Sequence, residues 1–167
     1  SEGRPTNEDL HQATTSNIMS AFMGGIIFNA ANILFAAAIA IAGMAVAFPV
    51  AIGLALVLGV LVNYFAAQKG DPVLLFSGVA CVAVAIIINA IAYKKKSTGE
   101  RKVSTKGIII SLIAGLLMSF FYRFIAASMD LENFENPAAG KMTPYTAVFI
   151  FSIGIFLSNF LFNTILM

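Results

Sequence analysis

Charge is scarce in this chain: ten basic and eight acidic residues make up 11% of 167, under half the share usual in a soluble domain. No ordinary solvated surface can be built from so few. With 59% apolar residues and a mean hydropathy of +0.90, the solvent around much of the molecule must be lipid. Cysteine occurs once, as Cys81 in an apolar run, which excludes a disulfide framework and a cysteine-based metal site. Histidine also occurs once, and His11 in the polar N-terminal stretch reads as a solvated surface residue. There is no phosphate-cradling GxxxxGK[ST], no pair of carboxylates inside an apolar run, and no His–Cys or His–Glu metal spacing. No enzymatic chemistry, cofactor, metal or nucleic-acid partner is expected. Every acidic residue falls outside the apolar runs, so no buried membrane carboxylate is available to relay protons.

What is present is long apolar sequence. About 20 apolar residues cross the hydrocarbon core as a helix. Five runs qualify, over residues 17–42, 45–67, 73–93, 107–128 and 144–167. Helices are the practical choice, because lipid-exposed strands would leave backbone donors unpaired and no barrel-type alternation is seen. Only Gly43-Met44 separates the first two runs, a turn so tight that those helices should be antiparallel neighbours. Pro49 sits early in the second, where a missing backbone donor matters least, and is a candidate hinge. The segment 94–106, KKKSTGERKVSTK, holds six of the ten basic residues, and the positive-inside rule places it in the cytoplasm. The polar stretch 1–16 is then external, and so is the loop 129–143. Ser1–Ser16 lacks the basic start and apolar core of a targeting signal. The chain opens on Ser1 and its last run stops at FLFNTILM with no anchor beyond, which reads as an internal piece of a longer membrane protein.

Polar residues inside these runs are the functional candidates. Arg123 lies in GIIISLIAGLLMSFFYRFIAAS, and a charge at membrane depth costs roughly 2.5–3.5 kcal/mol on insertion scales. Such a residue usually faces a solute path, an ion path or a buried partner. Ser111, Gly115 and Ser119 precede it at four-residue steps, forming one small, polar face that ends beside Tyr122. The second run carries a similar row, Ala51, Ala55 and Gly59, suited to close helix contact. In the first run Gly25, Asn29, Asn32 and Ala36 share a face; in the fifth, Ser152, Asn159 and Asn163 do. Together these supply guanidinium, phenol, hydroxyl and carboxamide groups, a set that suits a neutral or anionic polar solute. Structural alternatives stand beside this reading. Arg123 could snorkel to the outer interface or clamp Asp130 or Glu132. The four asparagines could be interhelical hydrogen bonds, and Ser119 could be packing.

The run GGIIFNAANILFAAAIAIAGMAVAFPVAIGLALVLGVLVNY resembles the drug/metabolite transporter superfamily, in particular the bacterial relatives of ureide permeases and of the glucose/rhamnose uptake group. FNAANIL followed by AGMAVAFPVAIGLALVLGV is the most specific part. MSFFYRFIAASMD and GKMTPYTAVFIFSIGIFLSNFLFNTI also resemble that bacterial group, often labelled multidrug-type permeases. The resemblance implies an all-α integral membrane fold of ten helices in two inverted five-helix repeats. This chain would supply the third to seventh: residues 17–93 end the first repeat and 107–167 start the second. It implies a cavity-facing role for Asn29, Asn32, Pro49, Tyr122 and Arg123. The phosphate-loop-like motif of plant ureide permeases has no match in KKKSTGERKVSTK, so nucleotide binding is not carried over.

The expected function is a secondary permease of a bacterial inner membrane, moving a sugar, ureide or similar metabolite by alternating access as part of a longer protein. Solute contacts are expected from Arg123, Tyr122, Asn29, Asn32, Ser119, Asn159 and Asn163. The expected partners are lipid, the solute, the remaining helices and a second copy of the chain. A drug exporter of the same superfamily and a non-transporting membrane scaffold are the alternatives. Convergence of the polar groups on a cavity marks a transporter; pairwise locking between helices marks a scaffold.

Overall fold

The computed structural model describes residues 4–67, 70–96 and 104–166, and among them every regular element is a helix. These are α1 (Thr6–Gln12), α2 (Thr15–Ala42), α3 (Met44–Ala67), α4 (Pro72–Lys96), α5 (Thr105–Ser128) and α6 (Pro144–Leu166). All except α1 are long and apolar enough to cross a membrane. Three of the starts are written in the sequence by capping residues. Asp71 Oδ1 accepts from the backbone N–H of Val73 at 2.8 Å and of Leu74 at 3.4 Å, and Pro72 takes the first helical position, where no donor is missed. Thr143 Oγ1 accepts from Thr146 N–H at 3.4 Å, with Pro144 next in α6. Ser104 Oγ does the same for Gly107 N–H at 3.4 Å. Between α2 and α3, Gly43 adopts φ 83°, a left-handed conformation that costs a side-chain-bearing residue about 1–2 kcal/mol. Phe35 and Phe48 then meet edge to face across that turn at 5.2 Å.

The helices exceed the expected spans at their polar ends. α4 runs on to Lys96, so Lys94–Lys96 are helical and not loop, and α5 already begins at Thr105. The centre of the basic segment, residues 97–103, lies outside the described residues, as does Lys69. The N-terminal polar stretch contains a helix, α1, which composition alone did not reveal.

The chain divides into two compact units, Ser1–Ala30 with Phe121–Met167, and Ala31–Phe120. In the first, Ala21, Ile125, Met142, Ala147 and Ile150 form a buried core, with Leu10, Ile18, Phe22 and Phe121 packed on it. Phe28, Phe121 and Phe151 stack around one point, with centroids 4.8–6.0 Å apart. Gly25 of α2 and Gly154 of α6 cross backbone to backbone: a Cβ on Gly25 would strike the Phe151 carbonyl oxygen, and one on Gly154 that of Phe22. In the second unit the two small-residue rows meet. A Cβ on Gly115 would lie 2.5 Å from the Ala51 carbonyl oxygen, and Gly59 sits beside the Ser119 carbonyl. The Ile86 side chain of α4 packs over Gly53 of α3. In lipid, where apolar surface gives little drive for association, such close contact is what holds helices together.

Candidate functional site

The expected site residues separate into engaged and open groups. Asn29 is buried on α2, one turn beyond Gly25. Its Nδ2 donates to Ser158 Oγ at 2.9 Å and to the Ile155 carbonyl at 3.4 Å. Ser158 lies one turn beyond Gly154, so the glycine crossing delivers the amide to the hydroxyl. Ser158 was not among the expected residues. Its signal is the matched pair of four-residue steps, Gly25 to Asn29 and Gly154 to Ser158. Ser119 is buried, and its Oγ donates to Leu116 O of its own helix at 2.7 Å. Asn32 is half-buried and partnered.

Tyr122 is 44% exposed on α5, and Arg123 beside it is exposed as well. The four-residue row Ser111, Gly115, Ser119 is packed, but its continuation to Arg123 emerges from the packing. On α6, Ser152, Asn159 and Asn163 do share a face, and that face is exposed. The packed face of α6 belongs instead to Gly154 and Ser158. Asn63 and Asn89 fold back onto the Gly59 and Ala85 carbonyls of their own helices.

Pro49 lines an open groove of about 740 Å³ between α3 and α4, with Phe48, Ile52, Leu56, Val82 and Asn89. The groove is almost wholly apolar. It offers van der Waals surface and no converging donors. Among the described residues no group of three or more His, Cys, Asp or Glu is placed to hold a metal.

The densest polar cluster lies elsewhere and was missed by sequence reasoning. Asp9 of α1 is fully buried, and its Oδ2 accepts from Thr143 N–H at 2.7 Å and Thr143 Oγ1 at 2.9 Å. Gln12 Nε2 donates to Asp9 Oδ1 at 3.0 Å and to Lys141 O at 2.8 Å, and Gln12 Oε1 accepts from Gly140 N–H at 2.8 Å. Arg4 pairs with Asp9 at 3.6 Å and donates to Pro137 O at 2.6 Å. Burial, the largest influence, would raise the Asp9 pKa. The Thr143 backbone N–H, the Thr146 and Thr143 hydroxyls and the Gln12 amide together outweigh it and hold the carboxyl below its ordinary value. His11, as expected, is exposed.

Residues 3–106 match the ureide permease family. The chain belongs to that family. Ureide permease 2 of Arabidopsis thaliana is 24% identical over 93% of this chain and 54% of its own length. Ureide permease 3 of the same plant is 24% identical over 99% of this chain and 56% of its own length. The chain thus spans about half the length of these curated relatives. No solved structure matches it. Ureide permease membership and five apolar helices agree on a multi-pass membrane protein. The ureide permease match takes in Asp9, Asn29 and the α3–α4 groove; Tyr122, Arg123 and Ser158 lie beyond it.

Proposed function

We propose that the chain is part of a secondary permease that moves a small polar metabolite, a ureide or a sugar, across a bacterial inner membrane. Family membership carries this reading, since the curated relatives are ureide permeases. In the complete protein, ten helices in two inverted repeats of the drug/metabolite transporter type would bind the solute near mid-membrane and open to each side in turn. Residues 94–106 face the cytoplasm in this scheme.

The chemistry of the solute contact rests on side chains whose polar groups are open. In the unit containing them, Arg123 and Tyr122 on α5 and Asn159 and Asn163 on α6 offer a guanidinium, a phenol and two carboxamides. A planar ureido or carboxylate oxygen accepts two parallel bonds from a guanidinium, and carboxamides complement amide N–H and C=O groups. Asn29 acts by fixing the α2–α6 crossing. Asn32 and Ser119 are kept as secondary contacts on their own helices, and Pro49 as a bending point in α3.

The test is Arg123→Ala and Arg123→Lys in the intact protein, with uptake and membrane abundance measured separately. Uptake is expected to fall at least about tenfold in the alanine variant, the worth of one charge-assisted bond, with partial recovery in the lysine variant. Undiminished uptake in both removes Arg123 from the site. A loss confined to abundance assigns it a structural role, as the scaffold reading requires.

A further inference from the structure

We propose that α1 is a releasable strap, which ties the adjoining ends of α2 and α6 together in the present state and must leave α6 before that end can open. The inference rests on the transport reading above. Its basis is the way α1 is fastened. The helix has seven residues and joins α2 through Ala13 and Thr14 alone. Only Leu10 and Ala13 press on the apolar core of the unit. The rest of the attachment is polar and spans more than 120 positions of sequence. It consists of Asp9 on Thr143, Gln12 on Gly140 and Lys141, and Arg4 on Pro137.

Three features make this a clasp and not a permanent joint. Water can replace each bond when α1 lifts, so no donor is stranded in hydrocarbon, and the freed Asp9 carboxylate is hydrated. Leaving does not uncap α6, because Thr143, the residue just before it, already accepts from Thr146 N–H through its own Oγ1. Lys141 keeps its own anchors, the Ala127 carbonyl and Asn17 Oδ1. The remaining ties between α2 and the hairpin loop gather on one acceptor, Gly140 O, which takes Thr14 N–H at 3.1 Å and Asn17 Nδ2 at 2.7 Å. A rigid end would be built differently, with apolar residues across the joint and the acid absent.

The experiment uses the intact transporter in proteoliposomes, in a Cys81→Ser background. Arg4→Cys and Ala138→Cys are joined by a short bismaleimide, which replaces the Arg4 contacts to Asp9 and Pro137 with a covalent tie from α1 to the loop before α6 and keeps the bonds of Asp9 and Gln12 to Thr143, Gly140 and Lys141. Uptake is expected to fall to background in the linked protein and to persist in each single-cysteine control treated alike. Linked protein that transports at the control rate overturns the proposal. A second measurement does not depend on transport: amide hydrogen exchange over residues 6–12 and at Thr143 in Asp9→Asn. It is expected to rise about tenfold, the loss of one charge-assisted bond. Unchanged exchange there also overturns the strap. Should the controls carry none of the solutes offered, the transport reading fails, and the exchange result alone decides whether α1 detaches.

Discussion

At Asp9 a carboxylate with no solvent exposure sits in a seven-residue helix whose other residues are mostly open to water. Its folded pKa lies below the ordinary value of 3.8. A carboxyl so shifted contributes stability that is complete above the unfolded pKa and is lost as pH falls through the folded one. The attachment of α1 should therefore be insensitive to pH near neutrality and weaken only below about 3.8. Thermal unfolding of the purified protein against pH checks this. Wild type should lose an acid-dependent component that Asp9→Asn lacks, and Asp9→Asn should cost about 1–3 kcal/mol at neutral pH. Asn29 makes the other decisive side-chain bond. Asn29→Ala should cost about 0.6 kcal/mol, and no more than about 1.7, the range of interhelical hydrogen bonds in membrane proteins. Ser158→Ala should cost no more once Asn29 is gone. A double-mutant cycle on unfolding free energy reads that coupling, and additive losses would separate the two residues.

Between elements, glycine sets how closely helices approach. Gly154→Leu places a branched side chain against the Phe22 carbonyl and should abolish stable folding, seen as loss of membrane abundance. Gly43→Ala meets no atom within 4 Å, so its cost is backbone conformation alone, about 1–2 kcal/mol, read as a shifted unfolding midpoint with the fold retained. These contacts also show how far the sequence could be read. Hydropathy located all five long helices to within a few residues. The four-residue rows through Ala51 and Gly115 identified faces that do pack, because helix period and small size suffice to define such a ridge. On α6 the same reasoning followed the asparagines, Asn159 and Asn163, whose face is open, and passed over Gly154 and Ser158. Polarity marks a helix face only when its partner is known, and Ser158 gains meaning from Asn29, 129 positions away. Asp9 was illegible for the same reason. RPTNEDLHQ is polar but for Pro5 and Leu10, and nothing in it announces a bond to Thr143, 134 positions on. The caps at Asp71, Ser104 and Thr143 mark helix starts more sharply than the hydropathy runs used to place them.

Over the whole molecule, burial is slight for so apolar a chain. The buried share of the apolar spans runs from 0% in α4 to 28% in α5, so most of that surface needs lipid or further helices to cover it. The chain spans about half the length of the curated ureide permeases it matches. The measurement that tests the account most directly is uptake by the intact protein in sealed proteoliposomes, comparing labelled ureides, sugars and cationic drugs. Saturable accumulation of a ureide or a sugar, competed by its own class and not by cationic drugs, is the predicted result. Vesicles carrying well-folded protein that take up none of the three above protein-free controls would contradict it.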